Sequence, residues 1–181
     1  ALVIFLIFPV LGLLAAGVVM LSNTTASQQA ATPLPVTLPP PKVLADAPMI
    51  DFSLTALDGE TVSLSDYNGR IVFLNFWATW CTPCKKELPA FQEFQAQQPS
   101  DGPVILAVDI GETPEQVRGF LDEFGVTGLK ILLDPDLTAS DSYGVFNMPT
   151  TFVIDPNGIV SYIKYGETTV DDLYAYLDAL N

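Results

Sequence analysis

The 181-residue chain has no histidine, only two cysteines, and only seven lysines and arginines against 21 aspartates and glutamates. Each scarcity excludes something. A structural zinc site takes four Cys or His ligands, so this chain cannot build one alone. The formal charge of −14 argues against nucleic acid or an anionic lipid surface as a partner. It also suffices to keep a domain soluble, and it identifies no substrate. With so few cysteines, any disulfide within the chain must join Cys81 to Cys84. No internal repeat is present.

Apolar residues make up 49% of the chain, but part of that content lies in the uncharged run Ala1 to Leu21. As a helix this run would span about 31 Å, close to the ~30 Å hydrocarbon core of a bilayer. It is expected to be a membrane anchor over 1–21. A cleavable signal peptide is the second reading, because Ser22-Asn23-Thr24-Thr25-Ala26 only weakly resembles a processing site. A buried core helix is excluded by the lack of any polar face. No lysine or arginine precedes Lys42, so flanking charge does not fix an orientation. A short anchor ahead of one large domain places that domain on the extracytoplasmic side. Residues 22–48, rich in Ser, Thr, Gln, Ala and Pro with Pro39-Pro40-Pro41 in the middle, read as a partly extended linker. The remainder, 49–181, has the length of one domain.

Within that domain the decisive stretch is Phe76-Trp77-Ala78-Thr79-Trp80-Cys81-Thr82-Pro83-Cys84-Lys85-Lys86-Glu87. A strand-like run, 71–77, precedes it, and a helical pattern over about 82–98 follows, with Pro89 expected to kink it. Cysteines three apart in a first helical turn place their Cβ atoms about 5–6 Å apart, from which a disulfide closes with small adjustments. Cys81 at the helix start meets unpaired N–H groups and the positive dipole end, which favour a thiolate. That predicts Cys81 as the attacking thiol and Cys84 as the resolving one. Pro83 suits a first turn, where the N–H it lacks has no helical partner. A staple across two residues would constrain little chain, so a purely stabilising disulfide is a poor reading.

The other elements follow from pattern. Asp51 to Leu54 and Thr61 to Leu64 flank Asp58-Gly59 as a hairpin, and Ser65 to Gly69 reads as a capped turn. Val104 to Asp109 is a second buried strand. Thr113-Pro114-Glu115-Gln116 is a capping box with proline at the first helical position, opening a helix to about Phe124. A short strand at 130–133 and a brief helix near 136–142 lead to Met148-Pro149-Thr150. A hairpin over 151–165 and a helix over 169–180, with Val170, Leu173, Tyr174 and Leu177 on one face, close the chain. The order predicts an α/β fold, a central mixed sheet with helices on both faces.

The Trp-Cys-x-x-Cys site, the Met148-Pro149-Thr150 segment and this element order resemble the thioredoxin fold. More specifically, the chain resembles the membrane-anchored TlpA/ResA/CcmG-like thiol-disulfide oxidoreductases. The matched features are the anchor, the N-terminal β-hairpin, Leu74 through Pro89, an extra β-α insertion at about 103–124, and the late Pro149-Thr150-Thr151-Phe152. The resemblance implies a cis peptide at Pro149 beside the disulfide, with Met148 offering backbone edges to a client and Trp80 and Thr150 as further client contacts. It places Asn75 where thioredoxins carry a buried acid, and moves the acid to Glu87, a proton-transfer group for Cys84. A solvated helical glutamate is the plain alternative. Lys85 and Lys86 would oppose Glu87 in setting the thiol pKa values, or simply form the exposed face of the helix. Trp77 with Trp80 would rim the disulfide, and as large aromatics both are in any case expected in or near the core.

The activity implied is protein-disulfide reduction without a cofactor or metal. The clients suggested are heme-binding cysteines of apocytochrome c or a copper-site dithiol, with a membrane dithiol carrier as reductant. Three alternatives stay open: a disulfide-donating oxidase, a module that grips copper or a client without turnover, and a thiol peroxidase. For the last, Arg70 and Arg118 are the only arginines, and neither is placed by sequence near Cys81.

Overall fold

The computed structural model describes residues 42–180. The expected anchor over 1–21 and most of the expected linker lie outside these residues. Among the described residues no helix is long and apolar enough to cross a membrane. One part of the linker expectation is corrected. Lys42–Pro48 form a strand, β1, paired antiparallel with the last strand of the chain at Ala47↔Val160 and Pro48↔Ile159.

Eight strands form one sheet. The hairpin β2 (Ser53–Ala56) and β3 (Thr61–Ser63) turns through Gly59, whose φ of +92° favours glycine. The next strand, β4 (Val72–Trp77), is buried along its whole length. Parallel neighbours β5 (Val104–Ile110) and β6 (Lys130–Asp134) follow on one side of it. The antiparallel pair β7 (Thr150–Ile154) and β8 (Ile159–Tyr165) lies on the other. The full order is β1-β8-β7-β4-β5-β6-β2-β3. β4 and β5 are thus central, covered on both faces, which explains their mainly apolar runs, interrupted by Asn75 in β4 and Asp109 in β5. The strand–helix piece expected as an insertion supplies β5, in the middle of the sheet.

The two faces differ. Helices α1 (Cys84–Ala96), α2 (Pro114–Phe124) and α4 (Val170–Leu180) pack Leu88, Phe91, Phe94, Val117, Phe120, Leu173 and Tyr176 onto Phe73, Trp77, Ile105, Ile131 and Val153. The opposite face, with Leu74, Phe76, Leu106, Leu132 and Phe152, is covered by the short α3 (Thr138–Ser142) and a 3-10 turn at Leu64–Tyr67. Alternation along the strands divides the residues between the faces, since successive side chains point oppositely.

Caps behave as the sequence dictates. Thr113 caps α2 with its side chain accepting from the Gln116 N–H, Gln116 reciprocates, and Gly125 ends the helix at φ 64°. On α4 the predicted face needs correction. The core takes Leu173 and Tyr176, whereas Tyr174 is exposed and rests its ring on Phe94 with its hydroxyl donating to Gln97.

Candidate active site

Strand β4 runs into the site and α1 runs out of it. Between them the chain turns through Ala78–Cys81, closed by the Cys81 N–H donating to the Ala78 carbonyl at 3.1 Å. Cys81 and Cys84 are joined in a disulfide, their Cα atoms 5.3 Å apart. α1 begins at Cys84 and not at 82, because Thr82 and Pro83 form a turn that feeds it. Cys81 therefore sits just ahead of the helix. Its sulfur still faces the helix N-terminus, accepting the Cys84 N–H at 3.3 Å. In the dithiol state that N–H would stabilise a thiolate on Cys81. Cys81 is 4% exposed and Cys84 is fully buried, so an incoming sulfur reaches Cys81 first.

Glu87 is not a solvated helical residue. It is completely buried on the inner face of α1, three positions past Cys84. Its Oε2 accepts from Asn75 Nδ2 at 2.9 Å, and its Oε1 accepts from the Thr168 N–H at 2.8 Å. Asn75 lies opposite Thr151 in the β4–β7 register and also donates to the Thr151 hydroxyl at 3.0 Å, which meets the Thr168 hydroxyl at 3.1 Å. Asn75, Thr151 and Thr168 are all buried. A polar cluster is therefore enclosed beneath α1 with a carboxyl at its centre. Burial pushes the Glu87 pKa up to about 8, against hydrogen bonds from Thr168 and Asn75 that favour the charged form.

The Met148–Pro149 bond is cis, as the resemblance implied. Pro149 is buried, its carbonyl accepts the Gly166 N–H at 2.8 Å, and Met148 is half-buried against the helical face of the core. One expectation, on Thr150, is corrected here. The Thr150 side chain is buried and donates to the Asn147 carbonyl at 2.9 Å, so it braces the loop and has no surface to offer a client. Trp77 is buried against Phe120 in the core, leaving Trp80, 66% exposed, as the aromatic on the surface beside Cys81.

Three of the cations have partners of their own. Lys85 Nζ lies 5.5 Å over the Phe124 ring, Arg70 donates to the Gly102 carbonyl, and Arg118 donates to the Leu57 carbonyl. Among the described residues no group of His, Cys, Asp or Glu is arranged to hold a metal ion.

Four participants carried no signal in the sequence. Thr151 and Thr168 are ordinary residues until the register and the α1 packing bring them to Glu87. Phe146, 77% exposed, and Tyr165 stack at 5.2 Å next to the Met148–Pro149 and Gly166 segments. Their exposure is a tertiary property, although aromatic residues just before Met148-Pro149 and at the end of β8 are visible as letters.

Comparison with known proteins agrees with this geometry. The sequence profile of the AhpC/TSA family matches residues 45–163. The chain is 42% identical over 130 residues to the thiol-disulfide oxidoreductase ResA of Geobacillus thermodenitrificans, covering 72% of this chain and 74% of that one. It is 39% identical over 136 residues to ResA of Bacillus subtilis, covering 75% and 74%. The exposed lipoprotein thioredoxin of Streptococcus pneumoniae superposes with a TM-score of 0.66 at 31% identity, covering 72% of this chain and all (100%) of that one. A Cys81–Cys84 disulfide at the head of α1 and relatives of this closeness lead to one conclusion: the chain belongs to the ResA-like thiol-disulfide oxidoreductases of the AhpC/TSA family.

Proposed function

We propose that this oxidoreductase runs as a reductase of protein disulfides on the extracytoplasmic side of a membrane, tethered by residues 1–21. The carrying observation is the charge placement around the dithiol. A buried carboxyl, Glu87, sits one helical turn beyond Cys84. Lys85, Arg70 and Arg118 are engaged with an aromatic ring and backbone carbonyls. A strong disulfide donor stabilises its reduced form, typically by stabilising the thiolate. A carboxyl behind the pair works the other way once it ionises, raising thiol pKa values and favouring the oxidised state of this chain.

In the proposed cycle the Cys81 thiolate attacks one sulfur of a client disulfide. The client S–S bond breaks, a mixed disulfide forms, and the client's first thiolate takes a proton. Cys84 then gives its proton to the Glu87 carboxylate and attacks the Cys81 sulfur. The mixed disulfide breaks, the client's second sulfur leaves as a thiolate and takes a proton from solvent, and the client departs with two thiols. Two electrons have passed from the chain to the client. A membrane dithiol donor restores Cys81 and Cys84. No cofactor takes part. The client disulfides that fit the reading are the heme-binding cysteines of an apocytochrome c or a copper-site dithiol. Trp80 and the Met148 backbone are the surfaces for them.

The test is the reduction potential of the full chain, by equilibration with a dithiothreitol or glutathione buffer. A value near the thioredoxin range, about −270 mV, is expected; one near about −120 mV would make the chain an oxidant and overturn the proposal.

A further inference from the structure

A pair of carboxyl groups, apart from Glu87, lies behind the turn that carries Cys81, and the exchange chemistry does not use it. Thr79 is the second residue of that turn. Its backbone N–H donates to Glu112 Oε2 at 2.6 Å, and its hydroxyl donates to Glu112 Oε1 at 2.6 Å. Glu112 is buried in the connection between β5 and α2, directly before the N-cap Thr113. Asp109 lies opposite Trp77 in the β4–β5 register, is fully buried, and directs its side chain at Glu112. As a carboxylate, Asp109 has no hydrogen-bond partner on either oxygen.

Two carboxylates facing each other possess no donor between them, and an unpaired buried charge is costly. A single proton resolves this. With Asp109 protonated, its O–H donates to Glu112, and Glu112 keeps its charge for the two Thr79 donors.

We propose that Asp109 and Glu112 are positioning residues. Protonated Asp109 holds ionised Glu112, Glu112 clamps Thr79, and the clamp sets the turn that presents Trp80 and Cys81 to a disulfide.

The surroundings favour that proton. The charged groups facing Asp109 are Glu112 on the β5–α2 connection and Asp134 at the end of β6, both negative. Asp134 is itself committed to the start of α3, accepting from the Ala139 and Ser140 N–H groups and the Thr138 hydroxyl. The Glu112 N–H is the one nearby group that favours the charged form, and it makes no well-formed hydrogen bond to Asp109. No salt bridge reaches either carboxyl among the described residues. Burial, then Glu112, raises the Asp109 pKa to about 8. Above that, Asp109 no longer donates to Glu112, the two charges repel, and the Glu112 clamp on Thr79 is displaced.

The oxidised full chain is the right sample, because its disulfide-bonded cysteines do not titrate. The Thr79 backbone amide is followed by 15N NMR from pH 6 to 10 in the wild type, Asp109→Asn and Glu87→Gln. The expected result is a titration near pH 8 in the wild type and in Glu87→Gln. It should be absent in Asp109→Asn, whose amide donates to Glu112 at every pH. A flat wild-type Thr79 amide, or a titration surviving in Asp109→Asn, overturns the proposal. In the reduced full chain at pH 7, Glu112→Gln should slow exchange with oxidised glutathione about tenfold, the scale of one charge-assisted hydrogen bond. The ratio of the Asp109→Asn rate to the wild-type rate should rise as pH passes through 8. A Glu112→Gln rate equal to wild type overturns the positioning role independently of the direction in which the chain works.

Discussion

Replacing Glu87 by glutamine should make the oxidised protein more stable in alkali. In the folded state the Glu87 pKa rises from its ordinary 4.5 to about 8, chiefly through burial. A raised carboxyl pKa means that the native state holds the proton more tightly than the unfolded chain. The stability linked to that proton is complete below about pH 4.5 and is lost as pH rises through about 8. At 1.36 kcal/mol per pH unit the interval sets an upper bound of about 5 kcal/mol, and water entry or local relaxation will reduce it. Glutamine cannot ionise, so the variant escapes the loss. The pocket can accept it. The substituted side chain would keep one oxygen for the Thr168 N–H, and its amide nitrogen would face Asn75. Asn75 Oδ1 now has no partner, so a flip of the Asn75 amide turns an acceptor towards that nitrogen, with the Thr151 and Thr168 hydroxyls reversing direction. Urea unfolding of the oxidised full chain at pH 5 and pH 9, in wild type and variant, cancels the contributions of all other groups. The variant should match the wild type at pH 5 and exceed it by about 2–5 kcal/mol at pH 9. Equal pH dependence in the two proteins would refute the account of Glu87 as a buried carboxyl that charges only at a cost.

Three further outcomes follow from the same geometry. Cys84→Ser should accumulate a mixed disulfide with a protein client, visible on non-reducing gels, while Cys81→Ser should not, because Cys81 carries the accessible sulfur; equal trapping by both variants would remove the assignment of roles. Phe146→Ser with Tyr165→Ser should raise KM for protein disulfides and leave oxidised glutathione kinetics as they were, since a small disulfide does not reach the exposed ring pair. Leu88→Ala, in the fully buried face of α1, should cost about 2–5 kcal/mol in urea unfolding, the range for large-to-small core substitutions.

The elements around the disulfide were legible in the sequence because each has a local cause. β4 and β5 are mainly apolar runs between turn signals, α2 opens on a capping box, and the Asp58-Gly59 pair marks its hairpin. What was not legible depends on partners distant in the chain. β1 follows a proline-rich stretch and shows no strong alternation; it is a strand because β8 offers it an edge. On α4 the 3.6-residue pattern admits either tyrosine. Tyr176 is the buried one because its ring meets Tyr162 on the sheet, while Tyr174 lands at the border of α1 where its hydroxyl finds Gln97. Thr150 reads as a contact residue beside Pro149, yet β7 pairing between β4 and β8 turns it inward. Glu87 could be placed by its spacing from Cys84, but its burial follows from Asn75 and Thr168, seen only once the chain is folded.

The two cysteines differ for reasons that lie in separate parts of the fold. Cys81 has a sliver of exposure and an N–H donor from the helix start, both of which favour its thiolate. Cys84 is sealed in the core, which favours its thiol, and Glu87 one turn away opposes a Cys84 thiolate only when it is ionised. In a chain carrying 21 acidic residues, an ionised group under α1 would be one more negative charge to repel a second thiolate. A protonated Glu87 adds no such charge before attack, and its ionised form is the basic site once Cys84 must lose its proton. The order of events then follows from burial and hydrogen bonding alone: Cys81 is ready first, and Cys84 becomes a nucleophile only when a mixed disulfide is there to receive it.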